Sequence, residues 1–387
     1  MDPETAPTPP ALEPPHQNTS DSMCMGFPSK DPQEPYRGVE WIFIGPHGLR
    51  AGWLVLLFYC LFRLFTFILS AVLYAVAPDL FGSDVSPFTA VVSELVPFFS
   101  MIGAGGIMLP VAQSRLTDYN LKDSHGLRHF LSGAAIGLVA LSVLVGSLAM
   151  GSWARFGPES LGMSKIVLYG CVWAVAFLLV GCAEEGTFRC YALRTLTRGI
   201  NFWWALAVVS GLCLYARLFV PGDSTLGIYV FALLGLLPCF LLHVKRAETS
   251  NFWQAAWATS TGFGFVHTLN HGENWIGIFA TAFVGFAFCV SIRVTGSAWW
   301  AIGCHAAWDW AETYFWGTAD SGFVAPGHLF STSPAGNPLW SGGSDGPEGS
   351  LLIIPIVLLI LAWLVIIYRR PGPAQISTPA STEQLAS

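Results

Sequence analysis

The sequence contains a series of long apolar stretches separated by short polar segments. A helix needs about 20 mainly apolar residues to cross a bilayer, and the stretches that approach or exceed this length are residues 51–77, 86–112, 130–150, 163–188, 202–220, 226–244, 252–269, 275–292, 297–316 and 351–368. Charged residues make up only 11% of the chain, whereas soluble domains contain about 25%. We therefore predict an all-α, polytopic transmembrane helix bundle of about ten spans and exclude a soluble domain.

The distribution of Lys and Arg predicts how these spans are oriented. If the N-terminus is cytosolic, only Arg155, Lys165 and Arg217 fall in outside loops. Cytoplasmic loops of membrane proteins carry an excess of these residues. We therefore expect a multi-pass membrane protein with both termini in the cytosol. The fourth span is expected to continue as helix towards Arg198.

The polar segments divide the chain further. Residues 1–40 are rich in Pro, Ser, Thr and acids, and they predict a disordered tail, as do residues 371–387. Between the tails we expect N-terminal spans (41–162), a core with three polar motifs (163–316), an extracytoplasmic loop (317–350) and a last span (351–370). The sequence contains no basic patch, so nucleic acid is not an expected partner.

The first polar motif is Glu184-Glu185-Gly186-Thr187-Phe188-Arg189, at the inner part of the fourth span. A charged side chain inside a bilayer costs about 2.5–3.5 kcal/mol on insertion scales, so such a group needs a partner or a function. Glu185 and Arg189 are four residues apart and can pair on one helix face. Glu184 is turned by about 100° from its neighbour. It is therefore a candidate general base, although an acid pair at a helix end is the structural alternative.

Two further motifs place polar pairs at helical spacing inside other spans. Phe263 and His267 lie one turn apart, as do His305 and Asp309. An Asp can fix the tautomer of a neighbouring His and stabilise its charged form. Each pair alone is compatible with a purely structural role. Because three separate spans carry such pairs, we expect the helices to converge on a polar pocket that holds water.

The ordered motifs EExxxR, FxxxH and Hxxx(N/D) resemble those of the CAAX-protease and bacteriocin-processing family (CPBP, or Abi), over roughly residues 163–312. Members are glutamate-dependent intramembrane endopeptidases. The stretch from His267 to Trp275 and the segment Thr295-Gly296-Ser297 resemble bacterial members, which implies location in the bacterial inner (plasma) membrane. The resemblance implies that Glu184 is the catalytic acid and that His267 helps it to activate water. His305 and Asp309 would orient the substrate carbonyl and stabilise the oxyanion.

The same resemblance gives supporting roles to Glu185, Arg189 and Phe263. It implies cleavage of a membrane-associated peptide or protein substrate, of CAAX or peptide-processing type, without a metal cofactor. The last motif position is often Asn in the family, and a carboxylate donates a hydrogen bond only when protonated. We therefore expect Asp309 to orient His305 instead.

Three points are left open by the residues themselves. Glu184, His267 and His305 could alternatively hold zinc with one open position, although no HExxH motif is present. A proton- or ion-coupled transporter could use the buried Glu, His and Asp as a relay, with Arg63 and Glu94 as further members. Finally, the predicted span ends place Glu184 and His267 about 10 Å apart in depth.

Overall fold

The computed structural model describes residues 40–45, 48–78, 86–158, 161–200, 202–219, 225–245, 249–270 and 272–368. The predicted C-terminal tail and all of the predicted N-terminal tail except Glu40 lie outside these ranges.

A helix occupies the position of every predicted span. The helices are α1 (Ala51–Val76), α2 (Pro87–Val111), α3 (Gly126–Met150), α4 (Met163–Thr197), α5 (Phe202–Phe219), α6 (Thr225–Lys245), α7 (Ser250–His267), α8 (Trp275–Thr295), α9 (Trp299–Asp309) and α10 (Ile353–Ile367). The predicted all-α helical bundle is confirmed. In the described ranges, α1 to α4 and α8 are long and apolar enough to cross a membrane. The chain is an integral membrane protein, and the total of ten spans stays a prediction.

Two of these helices change geometry where the polar motifs lie. In α4, residues Gly186–Ala192 form a π-helical segment directly after the two acids of the first motif. Helix α9 continues as a π-helix over Trp310–Trp316, directly after Asp309. π-Helical turns are rare in proteins, and those that do occur are often found at functional sites. The α4 helix runs on to Thr197, as expected for a span that continues towards the cytosol.

Short antiparallel strands join loops at the ends of the bundle. Strand β1 (Ile44–Gly45) pairs with β2 (Gly48–Leu49), and β3 (Ala154–Gly157) pairs with β4 (Ser331–Pro334). The β3–β4 pair holds the segment after α3 against the loop between α9 and α10. The predicted orientation places both of these segments outside the cell, so the pairing agrees with it.

The loop between α9 and α10 is also fastened to the start of α8. Asn274 caps α8 by accepting hydrogen bonds from the backbone N–H groups of Ile276 and Gly277. Its side-chain amide donates to the carbonyls of Gly342 and Gly349, both at 3.2 Å. One residue therefore begins a helix and positions the loop above it.

Helices α3 and α9 approach each other closely at three glycines. A Cβ added to Gly133 or Gly137 would collide with the backbone carbonyl of Trp300 or Cys304, and one added to Gly303 would collide with that of Phe130. Small residues allow this contact between helices in lipid, where packing rather than the hydrophobic effect drives association. The contact fixes the helix that carries His305.

We expect Gly137→Ala to destabilise the folded protein by about 1–3 kcal/mol, because a methyl group there overpacks the α3–α9 contact. Gly146→Ala is the matched control, since a Cβ at Gly146 meets nothing within 4 Å on the same helix. Thermal unfolding of the two purified variants in detergent measures the difference. Equal unfolding temperatures would show that α3 and α9 do not approach each other through Gly137.

Candidate functional site

The three polar motifs meet at one cavity of about 690 Å³. Its lining includes Glu184 from α4, Phe263 and His267 from α7, and His305 and Asp309 from α9. These residues are far apart in the sequence, and only the packing of α4, α7 and α9 brings them together. The structure thus unites the four residues that the sequence predicts to be catalytic in one lining.

His305 lies at the centre of a group of carboxylates. Its Nδ1 is 2.9 Å from Oε1 of Glu185, and its Nε2 is 3.4 Å from Oδ2 of Asp309 and 3.7 Å from Oε2 of Glu184. Both ring nitrogens therefore face acceptors and can act as hydrogen-bond donors. Asp309 does contact His305, as predicted, but Glu185 is closer and contacts the other nitrogen.

Glu185 is held by Arg189 in a fully buried pair. The Arg189 Nε lies 3.2 Å from Oε2 of Glu185, and both side chains are 0% exposed. The guanidinium carbon is 4.1 Å from the ring centroid of Phe263 and 5.4 Å from that of Phe288. Burial of a charge is tolerated when it is paired, and aromatic faces add cation–π attraction. Arg189 thus neutralises Glu185, and Glu185 in turn fixes the orientation of His305.

The hydrogen bond of His267 defines its tautomer. Its Nδ1 lies 2.9 Å from the carbonyl oxygen of Phe263, and a carbonyl can only accept, so Nδ1 carries the proton. A neutral His267 then presents Nε2 as an acceptor. The Phe263 ring lies beside both imidazoles, with centroid distances of 4.9 Å to His267 and 6.0 Å to His305. The predicted contact between Phe263 and His267 is present.

Glu184 differs from its neighbour Glu185, which is fully buried and paired with Arg189. Its side chain is 36% exposed, on a face of α4 that also presents Trp173, Phe177 and Val180 to the cavity. Its Oε2 has no hydrogen-bond partner among the described residues. An acid that no Arg neutralises and that borders a cavity can accept a proton from water.

The depth difference expected from the span ends assumed that Glu184 lies close to the inner end of its helix. Helix α4 continues for twelve residues after Glu185, to Thr197. Glu184 therefore lies inside a long helix rather than at its inner end, and it lines the same cavity as His267.

Three cavity acids were not among the predicted site residues. Glu94 on α2 and the loop residues Asp320 and Glu348 also line the cavity. Glu94 carried a sequence signal, because it is an acid within an apolar span, but that signal pointed to a transporter relay that also included Arg63. Acids in a polar loop carry no such signal.

The described part of the chain contains no group of three His, Cys, Asp or Glu side chains that could hold a metal ion. The alternative interpretation with zinc on Glu184, His267 and His305 therefore gains no geometric support.

One comparison with known proteins gives a match. Residues 239–311 match the family model described as type II CAAX prenyl endopeptidase Rce1-like. This range contains Phe263, His267, His305 and Asp309, which make up the second and third motifs. No curated protein and no solved structure matches the chain. The family match supports a membrane endopeptidase, and nothing in it supports the transporter alternative.

Proposed function

Because the chain belongs to the CAAX protease family (CPBP, or Abi), we propose that it is a glutamate-dependent endopeptidase that cleaves a membrane-associated substrate without a metal. The observation that carries this proposal is the shared cavity lining of Glu184, His267 and His305. The contact of 3.7 Å between Glu184 and His305 supports it, because the two groups must act on one peptide bond. We further propose that the membrane is the bacterial inner membrane.

The proposed reaction begins with a water molecule between Glu184 and Nε2 of His267. Glu184 takes a proton from the water molecule, and the water oxygen attacks the carbonyl carbon of the substrate. Nε2–H of His305 donates to the oxygen that becomes negative. When the tetrahedral intermediate collapses, the C–N bond breaks and the proton passes from Glu184 to the leaving amine. The products are a carboxylic acid and an amine.

Groups in these roles make contributions of typical size in other enzymes. A positioned general base contributes about 10²–10⁴-fold, and one preorganised oxyanion donor contributes about 2.7–4 kcal/mol. The donor must be in place before the charge develops. The buried Glu185–Arg189 pair can meet this requirement, because the Glu185 carboxylate lies 2.9 Å from Nδ1 of His305 and so holds the imidazole in place.

A reconstituted reaction tests the proposal. The purified chain in lipid vesicles is incubated with a farnesylated peptide that ends in a CAAX sequence and with its unfarnesylated counterpart, and mass spectrometry identifies the products. Cleavage of an internal peptide bond by the wild-type chain is the expected result. Cleavage of the farnesylated peptide alone would indicate a CAAX substrate, and cleavage of both would indicate a peptide-processing role. If both peptides stay intact, the CAAX assignment fails.

Chelation of metals is expected to leave the cleavage rate unchanged. The described residues contain no group of three His, Cys, Asp or Glu side chains placed to hold a metal ion. The rate is measured before and after treatment with 1,10-phenanthroline, and zinc in the purified protein is measured by mass spectrometry. Loss of activity on chelation with recovery on adding zinc would replace the glutamate mechanism with the zinc variant.

A further inference from the structure

Asn120 lies in the loop between α2 and α3 and connects two of the helices that carry the polar motifs. Its side-chain amide donates a hydrogen bond of 2.9 Å to the backbone carbonyl of Arg189 in α4. Its own backbone carbonyl accepts a hydrogen bond of 2.8 Å from the N–H of Ala298, the residue that precedes α9. One loop residue therefore joins the helix of the first motif to the start of the helix of the third motif.

The Asn120 amide replaces a donor that the π-helical segment of α4 takes away. In an α-helix the N–H of residue i bonds to the carbonyl of residue i−4, so the Arg189 carbonyl would accept from Leu193. The N–H of Leu193 bonds instead to the carbonyl of Phe188. Backbone carbonyls need donors when they are removed from water, and Asn120 donates to this one from outside the helix. Its hydrogen bond therefore favours the π-helical form of α4 over a regular α-helix, in which Leu193 would compete for the same carbonyl.

The form of this segment determines how His305 is held. Arg189 lies within the segment, and its guanidinium pairs with Glu185 while both side chains are fully buried. Glu185 in turn lies 2.9 Å from Nδ1 of His305. A regular α-helix here would place Arg189 at a different angle around the helix axis relative to Glu185. The position of the imidazole therefore depends on a hydrogen bond made outside the cavity.

The same loop also fixes the start of α9. The hydroxyl of Ser297 donates to Oδ2 of Asp123 at 2.5 Å, and the indole of Trp299 donates to the carbonyl of Leu121 at 3.0 Å. His305 follows about two helical turns further on. The loop is therefore anchored to the helix that carries His305, and the Asn120 amide connects that anchor to the π-helical segment.

The backbone conformation at position 120 limits which residues can make this connection. Its φ is +58°, in the left-handed region that Gly adopts freely and that Asn and Asp enter more readily than other residues. Among these three residue types, only Asn has a side-chain N–H donor. Asn is therefore the residue that suits both the conformation and the hydrogen bond to Arg189.

We propose that Asn120 is a positioning residue of the active site, and that it acts through the Glu185–Arg189 pair to hold His305 where the oxyanion forms. This role rests on the proposed function for the chemistry of His305. Asn120 is not among the residues that line the cavity, so it does not contact the substrate there.

Asn120→Gly removes the amide and keeps the backbone conformation, because Gly adopts a positive φ without strain. The carbonyl at position 120 can still accept from Ala298, and Nε of Arg194 still donates to the carbonyl of Asp118 at 2.9 Å, so we expect the chain to fold. Misplacing a catalytic group by about 1 Å can lower a rate by about 100-fold, and we expect kcat to fall at least about tenfold. Because Asn120 does not line the cavity, KM is expected to change little.

Two further variants separate the hydrogen bond from other effects. Gln113→Gly is the matched control, because Gln113 lies in the same loop, is exposed and also has a positive φ of +48°. It is expected to keep the wild-type kcat. Asn120→Asp keeps the shape of the side chain and tolerates the left-handed backbone, but its carboxylate cannot donate. It is expected to lower kcat at least as much as Asn120→Gly, with all rates normalised to the folded fraction.

A double-mutant cycle distinguishes positioning from a general structural role. If Asn120 acts through His305, Asn120→Gly has little left to displace in the His305→Ala background, and the two effects are not additive. A second measurement does not need cleavage. The nitrogen chemical shifts of the His305 ring, assigned by NMR through their loss in His305→Ala, report the contact of Nδ1 with Glu185. We expect the Nδ1 signal to move in both Asn120 variants and to stay in place in Gln113→Gly.

The inference fails if both Asn120 variants keep the wild-type kcat per folded molecule, if Asn120→Gly lowers the rate by the same factor with and without His305, or if the Nδ1 signal does not move in either variant. If the signal moves but the wild-type chain cuts no peptide, Asn120 does position His305 and the proposed proteolysis fails. If the wild-type chain and both Asn120 variants cut at equal rates, the protease stands and the role of Asn120 fails.

Discussion

Glu184→Gln is expected to abolish detectable cleavage, with kcat lower by about 10²–10⁴-fold. Gln has nearly the shape of Glu and can still accept a hydrogen bond near His305, but it cannot take a proton from water. Because the Glu184 side chain is 36% exposed and Arg189 pairs with Glu185 instead, the substitution leaves no buried charge without a partner. We therefore expect the same thermal unfolding temperature as the wild-type chain.

The measurement is single-turnover cleavage of the peptide that the wild-type chain cuts best, together with thermal unfolding of both proteins. Glu40→Gln is the matched control, since it makes the same chemical change at an exposed residue. A wild-type rate in Glu184→Gln would remove Glu184 from the mechanism.

His305→Ala is expected to lower kcat by about 10²–10³-fold, because it removes the donor that stabilises the oxyanion. The substitution also leaves Oε1 of the buried Glu185 without its partner at 2.9 Å, which costs about 1–3 kcal/mol of stability. The kinetic effect therefore has to be separated from a loss of folded protein. Rates are normalised to the folded fraction, and kcat and KM are determined individually.

His305→Gln makes this separation sharper. Its amide can donate a hydrogen bond, so we expect a kcat between those of His305→Ala and the wild-type chain, while Asp309→Asn is expected to have a smaller effect than either. A purely structural role for His305 makes a different prediction. In that case the rate per folded molecule would be the same in both His305 variants and in the wild-type chain.

The parts of the site that sequence could predict are those that depend on one helix alone. Glu185 and Arg189, Phe263 and His267, and His305 and Asp309 are each four residues apart, and helical geometry fixes such contacts. The apolar stretches predicted the helices for the same reason, since lipid requires every backbone group to bond within its own helix.

Contacts between different helices could not be predicted from the spacing of residues in the sequence. Glu185 and His305 are 120 residues apart, and no periodicity along one helix specifies which neighbour it meets. Gly133 and Gly137 have the four-residue spacing of a close-packing helix face, but that pattern does not name α9 as the partner. The contact of Glu185 with His305 follows only once the helices are packed.

The two loop acids, Asp320 and Glu348, could not be predicted as cavity residues for a different reason. Asp320 and Glu348 lie in a segment without helical or strand periodicity over most of its length. Their place in the cavity depends on the β3–β4 pair and on the hydrogen bonds that Asn274 donates to Gly342 and Gly349. These are long-range contacts, so loop composition alone could not predict that the two acids line the cavity.

The proposed mechanism requires an acid on α4 and two imidazoles on α7 and α9 to act together on one peptide bond. Comparative mapping of protein N- and C-termini in cells that carry the wild-type chain or Glu184→Gln tests it most directly, because the substrate does not have to be identified beforehand. A set of new termini in membrane-associated proteins or peptides, present with the wild-type chain and absent with Glu184→Gln, is the predicted result. Identical termini in both cell populations, with equal amounts of the two proteins in the membrane, would contradict it.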